Sequence, residues 1–214
     1  MANLGEIHNR LRLPTPQGFV ITASAYQYFL AGSGLAAQIQ ATLDQADVSD
    51  LRGLEVISGR IQSLIRRAAL PTDLTAAITT AAQVFHDHPI AVRSSAVGED
   101  TTCSFAGQFA TLLNVSPAAI VDHYKEIIAS KFTPQAIFYW KFQGFSLNEL
   151  PMAVGCLEMV PARASGIMFS LNPQTPEQQS IVITAVWGLG KFAVDGTVSP
   201  DIFELGKGEG FPLL

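Results

Sequence analysis

The sequence predicts an α+β fold, a helical front followed by sheet-rich material, and three observations predict it. Between Leu35 and Phe85 apolar residues recur at helical spacing. Beyond His88-Pro89 the chain changes to short apolar, β-branched pieces separated by turn residues. Hydrophobic residues make up 48% of the 214, enough to bury a substantial core in one domain or in one domain of two lobes. A lobe boundary is expected near Val115, dividing residues 1–115 from a sheet-rich part over 116–214.

Taken in order, Leu13-Pro14-Thr15-Pro16-Gln17-Gly18-Phe19-Val20-Ile21 reads as a stiff loop feeding a short strand, because two prolines force extended backbone and Gly18 permits a turn. Thr22 or Ser24 can cap a helix through Leu30, with Tyr26, Phe29 and Leu30 on one face and Gly32-Ser33-Gly34 at its end. Leu35, Ile39 and Leu43 recur at i, i+4, and Leu54, Ile57, Ile61, Leu64 and Ile65 form a second helical stripe. Pro71 and Asp73 start a further helix through Ile78 and Val84. Ile90 to Ser95 and Phe109 to Val115 read as strands flanking a polar loop, and Ser116-Pro117 opens a helix over 118–130. Ala136 to Trp140, Met152 to Val160, Gly166 to Leu171, Ile181 to Trp187 and Ile202 to Leu205 read as strands.

Charge and composition narrow the function. A formal charge of -5, with 13 Lys plus Arg and no basic run, gives no long-range attraction for nucleic acid. No window reaches eighteen uninterrupted apolar residues and the first residues lack a basic, then apolar, leader, so no membrane span is expected. Cys103 and Cys156 are far apart with no CxxC, which fits a reducing cytoplasm. Histidines 8, 86, 88 and 123 have no metal-ligand spacing.

Residues 92–108 form a polar, small-residue loop between two strands, with Arg93 at its head. Arg93 can present a bidentate fork to phosphate oxygens, Ser94, Ser95 and Ser104 add hydroxyls, and Gly98 and Gly107 let backbone approach an anion closely. An ordinary surface loop, with Arg93 paired to Glu99 or Asp100, is the competing reading. Gly188 and Gly190 with Lys191 form a second glycine-rich stretch, but the GKS/T ending of a P-loop is missing and a tight turn is the simpler reading. At Glu158-Met159-Val160-Pro161 a proline-stiffened bend could offer backbone groups to the edge of a purine, or Pro161 could simply end an edge strand.

The order of these segments carries more than any one of them. Asn3 to Glu6, Pro14 to Ile21, Val92 to Gln108 with Leu113-Asn114-Val115, Ser165 to Ser170, Trp187 to Gly190 and Ser199-Pro200-Asp201 run nearly end to end. That series resembles the nucleotide-binding domain of PEP synthase, pyruvate phosphate dikinase and the rifampin phosphotransferases, and Arg93 to Val115 is its most specific part. The resemblance implies an ATP-grasp-like fold with ATP and Mg2+ as cofactors. It also implies transfer of a phosphoryl group to a histidine on a separate domain and onward to pyruvate or another acceptor, so phosphohistidine and PEP/pyruvate-binding domains are the implied partners. Carried across, Arg93, Ser94 and Ser95 would hold the phosphates, Gly107 would let the loop close, and Met159 with Val160 would border the adenine.

Departures from the pattern matter equally. The family's glycine-rich lysine segment would precede Asn3, and its acidic metal ligands would follow Asp201, so the resemblance implies a domain truncated at both ends with no catalytic or metal residues of its own. Leu157 stands where a glutamine usually faces the base, Lys191 replaces a glutamate, and Gln135 replaces an arginine. The chain by itself is therefore expected to be inactive and to bind ATP weakly, with self-association through uncovered apolar strands. The alternative is a non-catalytic binding or regulatory module derived from this domain.

Overall fold

The computed structural model describes residues 2–96, 110–144, 151–208 and 210–211. It is α+β, and two compact units, Met1–Met159 and Val160–Leu214, divide the chain.

In the first unit, α1 (Ala2–Asn9) leads to β1 (Gly18–Ile21), then to α2 (Ala23–Gly32), α3 (Leu35–Leu43), α4 (Leu51–Arg67) and α5 (Thr72–Ala82). Strands β2 (Ile90–Ala96) and β3 (Thr111–Val115) come next, then α6 (Ile120–Ser130), α7 (Pro134–Gln143) and β4 (Met152–Glu158). The helices form where local chemistry places them. Thr22 caps α2 by accepting from the Ala25 N–H, and Asp50 caps α4 by accepting from the Gly53 N–H at 3.0 Å. Leu54, Ile57, Ile61 and Ile65 of α4 are buried while Arg52, Glu55 and Arg60 face solvent, as the periodicity requires.

The four strands make one antiparallel sheet in the order β1-β4-β2-β3. Helices α2 and α6 pack on it, and the core beneath them holds Phe29, Tyr124, Ile127, Ile90, Val92, Val154 and Cys156. Because β4 inserts between β1 and β2, the chain from 116 to 159 belongs to the first unit. The boundary lies after Met159, not near Val115.

One expected strand is a helix. Ala136 to Trp140 lies inside α7, although its aromatic and β-branched run favours extended structure. Thr133 accepts a hydrogen bond from the Ala136 N–H, Pro134 occupies the first turn, and Gly144 ends the helix at φ 74°. Burial of Ala136, Ile137 and Trp140 against Phe132 then selects the helical period, with Trp140 edge-on to Phe132 at 5.4 Å.

The second unit is the antiparallel sheet β5 (Ala164–Phe169), β6 (Ser180–Trp187) and β7 (Asp201–Gly206), with the short α8 (Lys191–Val194) between β6 and β7. Gly166 is required at its place on β5, because a Cβ there would stand 2.4 Å from the Thr184 carbonyl oxygen. Most of β6 is half-buried, and Met168, Trp187 and Ile202 are exposed. Among the described residues no helix is long and apolar enough to cross a membrane.

Candidate functional site

Residues directly opposite one another in an antiparallel ladder share a face. The register therefore lines up Val20, Gly155, Arg93 and Thr111 in one row across β1, β4, β2 and β3. On either side of that row, Gly18, Leu157 and Ala91 form a second row, and Ala153 with Ser95 a third. The alternate rows, Phe19-Cys156-Val92-Leu112 and Ile21-Val154-Ser94, include the buried residues under α2 and α6. The face carrying Arg93 is thus the one turned away from the main core.

Among the described residues this floor has mostly small side chains around one cation, Arg93. Arg93 is exposed, and among the described residues it has no ion-pair partner, while its β4 neighbour is Gly155 and the next residue of that face on β4 is Ala153. A guanidinium fork in that setting can meet two oxygens of a phosphate without first giving up a carboxylate. Ser95 shares the face and makes interactions of its own. Ser94 does not share it: strand alternation turns its side chain toward Val154 and Ile21, so Arg93, Ser94 and Ser95 cannot converge on one phosphate. The fold-level signal for this was present in the sequence, since three consecutive strand residues always alternate. Gly107, Gly98 and Ser104 lie outside the described residues, as do Glu99 and Asp100.

At the β1 edge of the same face, α1 and the 15–18 loop enclose a groove of about 350 Å³. Leu4, Gly5, His8, Thr15, Val20 and Leu157 contribute to its lining. The His8 Nδ1 stands 2.8 Å from the Thr15 hydroxyl, which fixes the ring at the rim. Sequence reasoning missed this groove, because α1 is only eight residues long, has no long apolar stripe and was not anticipated as a helix. Val20 and Arg93 are two strands apart, on the order of 10 Å.

The bend after β4 is held tightly. The Glu158 N–H donates to the Gln17 carbonyl at 2.8 Å, the Met159 N–H to the Pro89 carbonyl at 2.9 Å, and the Ala162 N–H to the Val160 carbonyl at 2.8 Å. His88 Nδ1 lies 2.6 Å from Glu158 Oε1. These bonds occupy the Met159 donor and the Val160 acceptor. Among the described residues, the Val160 N–H and the Met159 C=O are the backbone groups left for an incoming purine edge.

In the second unit the glycine-rich stretch is a turn. The Gly188 N–H donates to the Arg163 carbonyl at 2.9 Å, its own carbonyl accepts from the Ser165 hydroxyl at 2.7 Å, and its φ of 80° needs a glycine. Lys191 begins α8 and is exposed, and Gln135 is exposed in the first turn of α7. Leu157 is nearly buried at 9% exposure, against Gly18. Among the described residues no group of three or more His, Cys, Asp and Glu side chains could hold a metal ion.

Residues 1–210 match the family described as pyruvate phosphate dikinase, AMP/ATP-binding domain. The chain is 40% identical over 214 residues to a probable phosphoenolpyruvate synthase of Methanocaldococcus jannaschii, covering 96% of this chain and 18% of that protein. It is 36% identical to the phosphoenolpyruvate synthase of Helicobacter pylori over 96% of this chain and 27% of that protein. A rifampicin phosphotransferase of Streptomyces sviceus is 38% identical over 97% of this chain and 24% of that protein. Across the relatives it matches, the chain spans between 18% and 31% of their length.

Proposed function

Because the chain belongs to the pyruvate phosphate dikinase AMP/ATP-binding domain family, we propose that it binds ATP on the Arg93 face of the first sheet, as the nucleotide-holding part of a phosphotransferase. The observation that carries this is the row Val20-Gly155-Arg93-Thr111: an exposed arginine beside small residues, with no ion-pair partner among the described residues, on the same face as an apolar groove. Arg93 grips phosphate oxygens, Ser95 stands beside it, and the Val160 N–H with the Met159 C=O borders the adenine. In the whole protein the phosphoryl group passes to a histidine on another domain and then to pyruvate or a related acceptor, and the compartment is the cytoplasm.

What these residues can do is position and stabilise charge, which is most of what phosphoryl transfer asks of a protein. With Arg93 as the cation on this face among the described residues, the chain by itself holds ATP at about millimolar affinity. Titration of the chain with Mg-ATP, followed by calorimetry and by NMR shifts on β2, tests this. Arg93→Ala removes a charge-assisted bond worth roughly 1.5–3 kcal/mol, a weakening of about 10- to 150-fold. Arg93→Lys, which keeps the charge and loses the fork, falls between. Equal binding by Arg93→Ala and the parent chain would sink the phosphate-clamp assignment.

A further inference from the structure

Away from the nucleotide face, the core contains a lysine. Lys131 follows the last residue of α6, is 1% exposed, and its Nζ lies 2.9 Å from the Tyr26 hydroxyl. The amine stands over three aromatic rings, 4.7 Å from the centre of Tyr26, 5.0 Å from Trp140 and 5.6 Å from Phe132. No carboxylate pairs with it among the described residues. From α2 the titratable group facing it is Tyr26, and α6 adds the buried Tyr124. Burial raises both phenols above their ordinary value, with Tyr124 adding to the effect on Tyr26, so both stay neutral. From α7 the facing group is Trp140, while Lys141 is exposed. The remaining charges of α4 and α6 stay outside: Arg66 pairs with Glu126 at 2.9 Å, Lys125 with Asp122 at 3.2 Å, and Arg52, Glu55, Arg60 and Arg67 face solvent.

The hydrogen-bond inventory of this core decides the charge state. An ammonium has three N–H donors and no acceptor, and Tyr26 supplies one oxygen. Among the described residues the buried polar atoms without a partner are Tyr124 Oη, which can donate or accept, and Trp140 Nε1, which only donates, and neither bonds the amine. A neutral amine instead carries a lone pair, so the Tyr26 hydroxyl can donate to it across the same 2.9 Å. The aromatic faces attract a cation but accept no conventional hydrogen bond, and they do not replace the hydration that three N–H groups lose. We propose that Lys131 is a proton-sensing core group, held uncharged in the native fold by its aromatic box, whose protonation loosens the junction of α6 and α7 against α2.

Burial pushes the Lys131 amine down to about 7 from its ordinary 10.5. Because the native value is the lower one, the unfolded chain takes up a proton below pH 10.5 while the native chain refuses it until about pH 7. The resulting stability is full above 10.5, falls as the pH drops through that window, and levels off below 7. Cys156, Tyr26 and Tyr124 act in the opposite sense at high pH, since burial raises all three, and a comparison with Lys131→Met cancels them.

Urea unfolding of this chain and of Lys131→Met from pH 9 to pH 7, together with a pH titration of 13Cε-labelled lysine, provides the test. The Lys131 resonance is the one missing from Lys131→Met, whose unbranched apolar side chain fits the box. The expected result is a folding constant that declines for the parent relative to Lys131→Met, approaching tenfold per pH unit, and a Cε midpoint near neutrality. Parallel pH profiles for the two proteins, or a Cε midpoint at the ordinary lysine value near about 10.4, overturns the proposal.

Discussion

Gly18→Ala is a sharp probe of how β1 is seated beside the groove. Gly18 opens β1 opposite Leu157, and an added Cβ would stand 2.2 Å from the Cys156 carbonyl oxygen and 2.7 Å from Leu157 Cδ2. Its φ is not in the left-handed region, so alanine suits the backbone and the penalty is steric alone. Real Cβ contacts essentially never fall under 3.0 Å, so β1 must retreat from β4 by at least 0.8 Å, the difference between 3.0 and 2.2 Å. The obstacle is a backbone carbonyl held in a sheet, which places the cost at the upper end of the overpacking range, about 3 kcal/mol. For a chain of this length that corresponds to a fall in Tm of roughly 6–12 °C. Urea denaturation followed by circular dichroism measures it, with Gly59→Ala as the control. Gly59 lies within α4 with nothing inside 4 Å of its would-be Cβ, so alanine there should add about 0.5–1 kcal/mol. Gly18→Ala within about 0.5 kcal/mol of the parent would refute the claim that close contact fixes this strand.

Two further outcomes follow from the same geometry. Cys156 is buried and its thiol is pushed up to about 12 by desolvation, so iodoacetamide at pH 8 should leave its peptide unmodified in the native chain and label it in urea, as mass spectrometry reads directly. Leu157→Gln puts an amide at the groove on the Arg93 face; one new hydrogen bond to a base is worth about 0.5–1.5 kcal/mol, a two- to twelve-fold gain in ATP affinity by calorimetry. Unchanged or weaker binding would show that Leu157 does not face the nucleotide.

Much of the first unit was legible from local pattern. The stripe of Leu54, Ile57, Ile61 and Ile65, the cap at Thr22, and the strand carrying Arg93 each depend on neighbours a few residues away, and those the sequence displays. Arg93 stood out for the same reason, as a fixed charge heading a small-residue loop. Its setting did not. That Gly155, Val20 and Thr111 flank it follows from β4 inserting between β1 and β2, and strands so far apart in the chain leave no local mark of their pairing.

Residue order and periodicity, then, determined the family, the α+β class and most helices on their own. Tertiary structure decided what local propensity left balanced. Ala136 to Trp140 could have been strand or helix until Phe132 offered Trp140 a partner on the helical face. It also decided what composition alone would assign to water: Lys131 reads as a solvated charge, and only the convergence of α2, α6 and α7 buries it among Tyr26, Phe132 and Trp140. Desolvation depends on every atom packed around a group, and that environment comes into being only when distant segments meet.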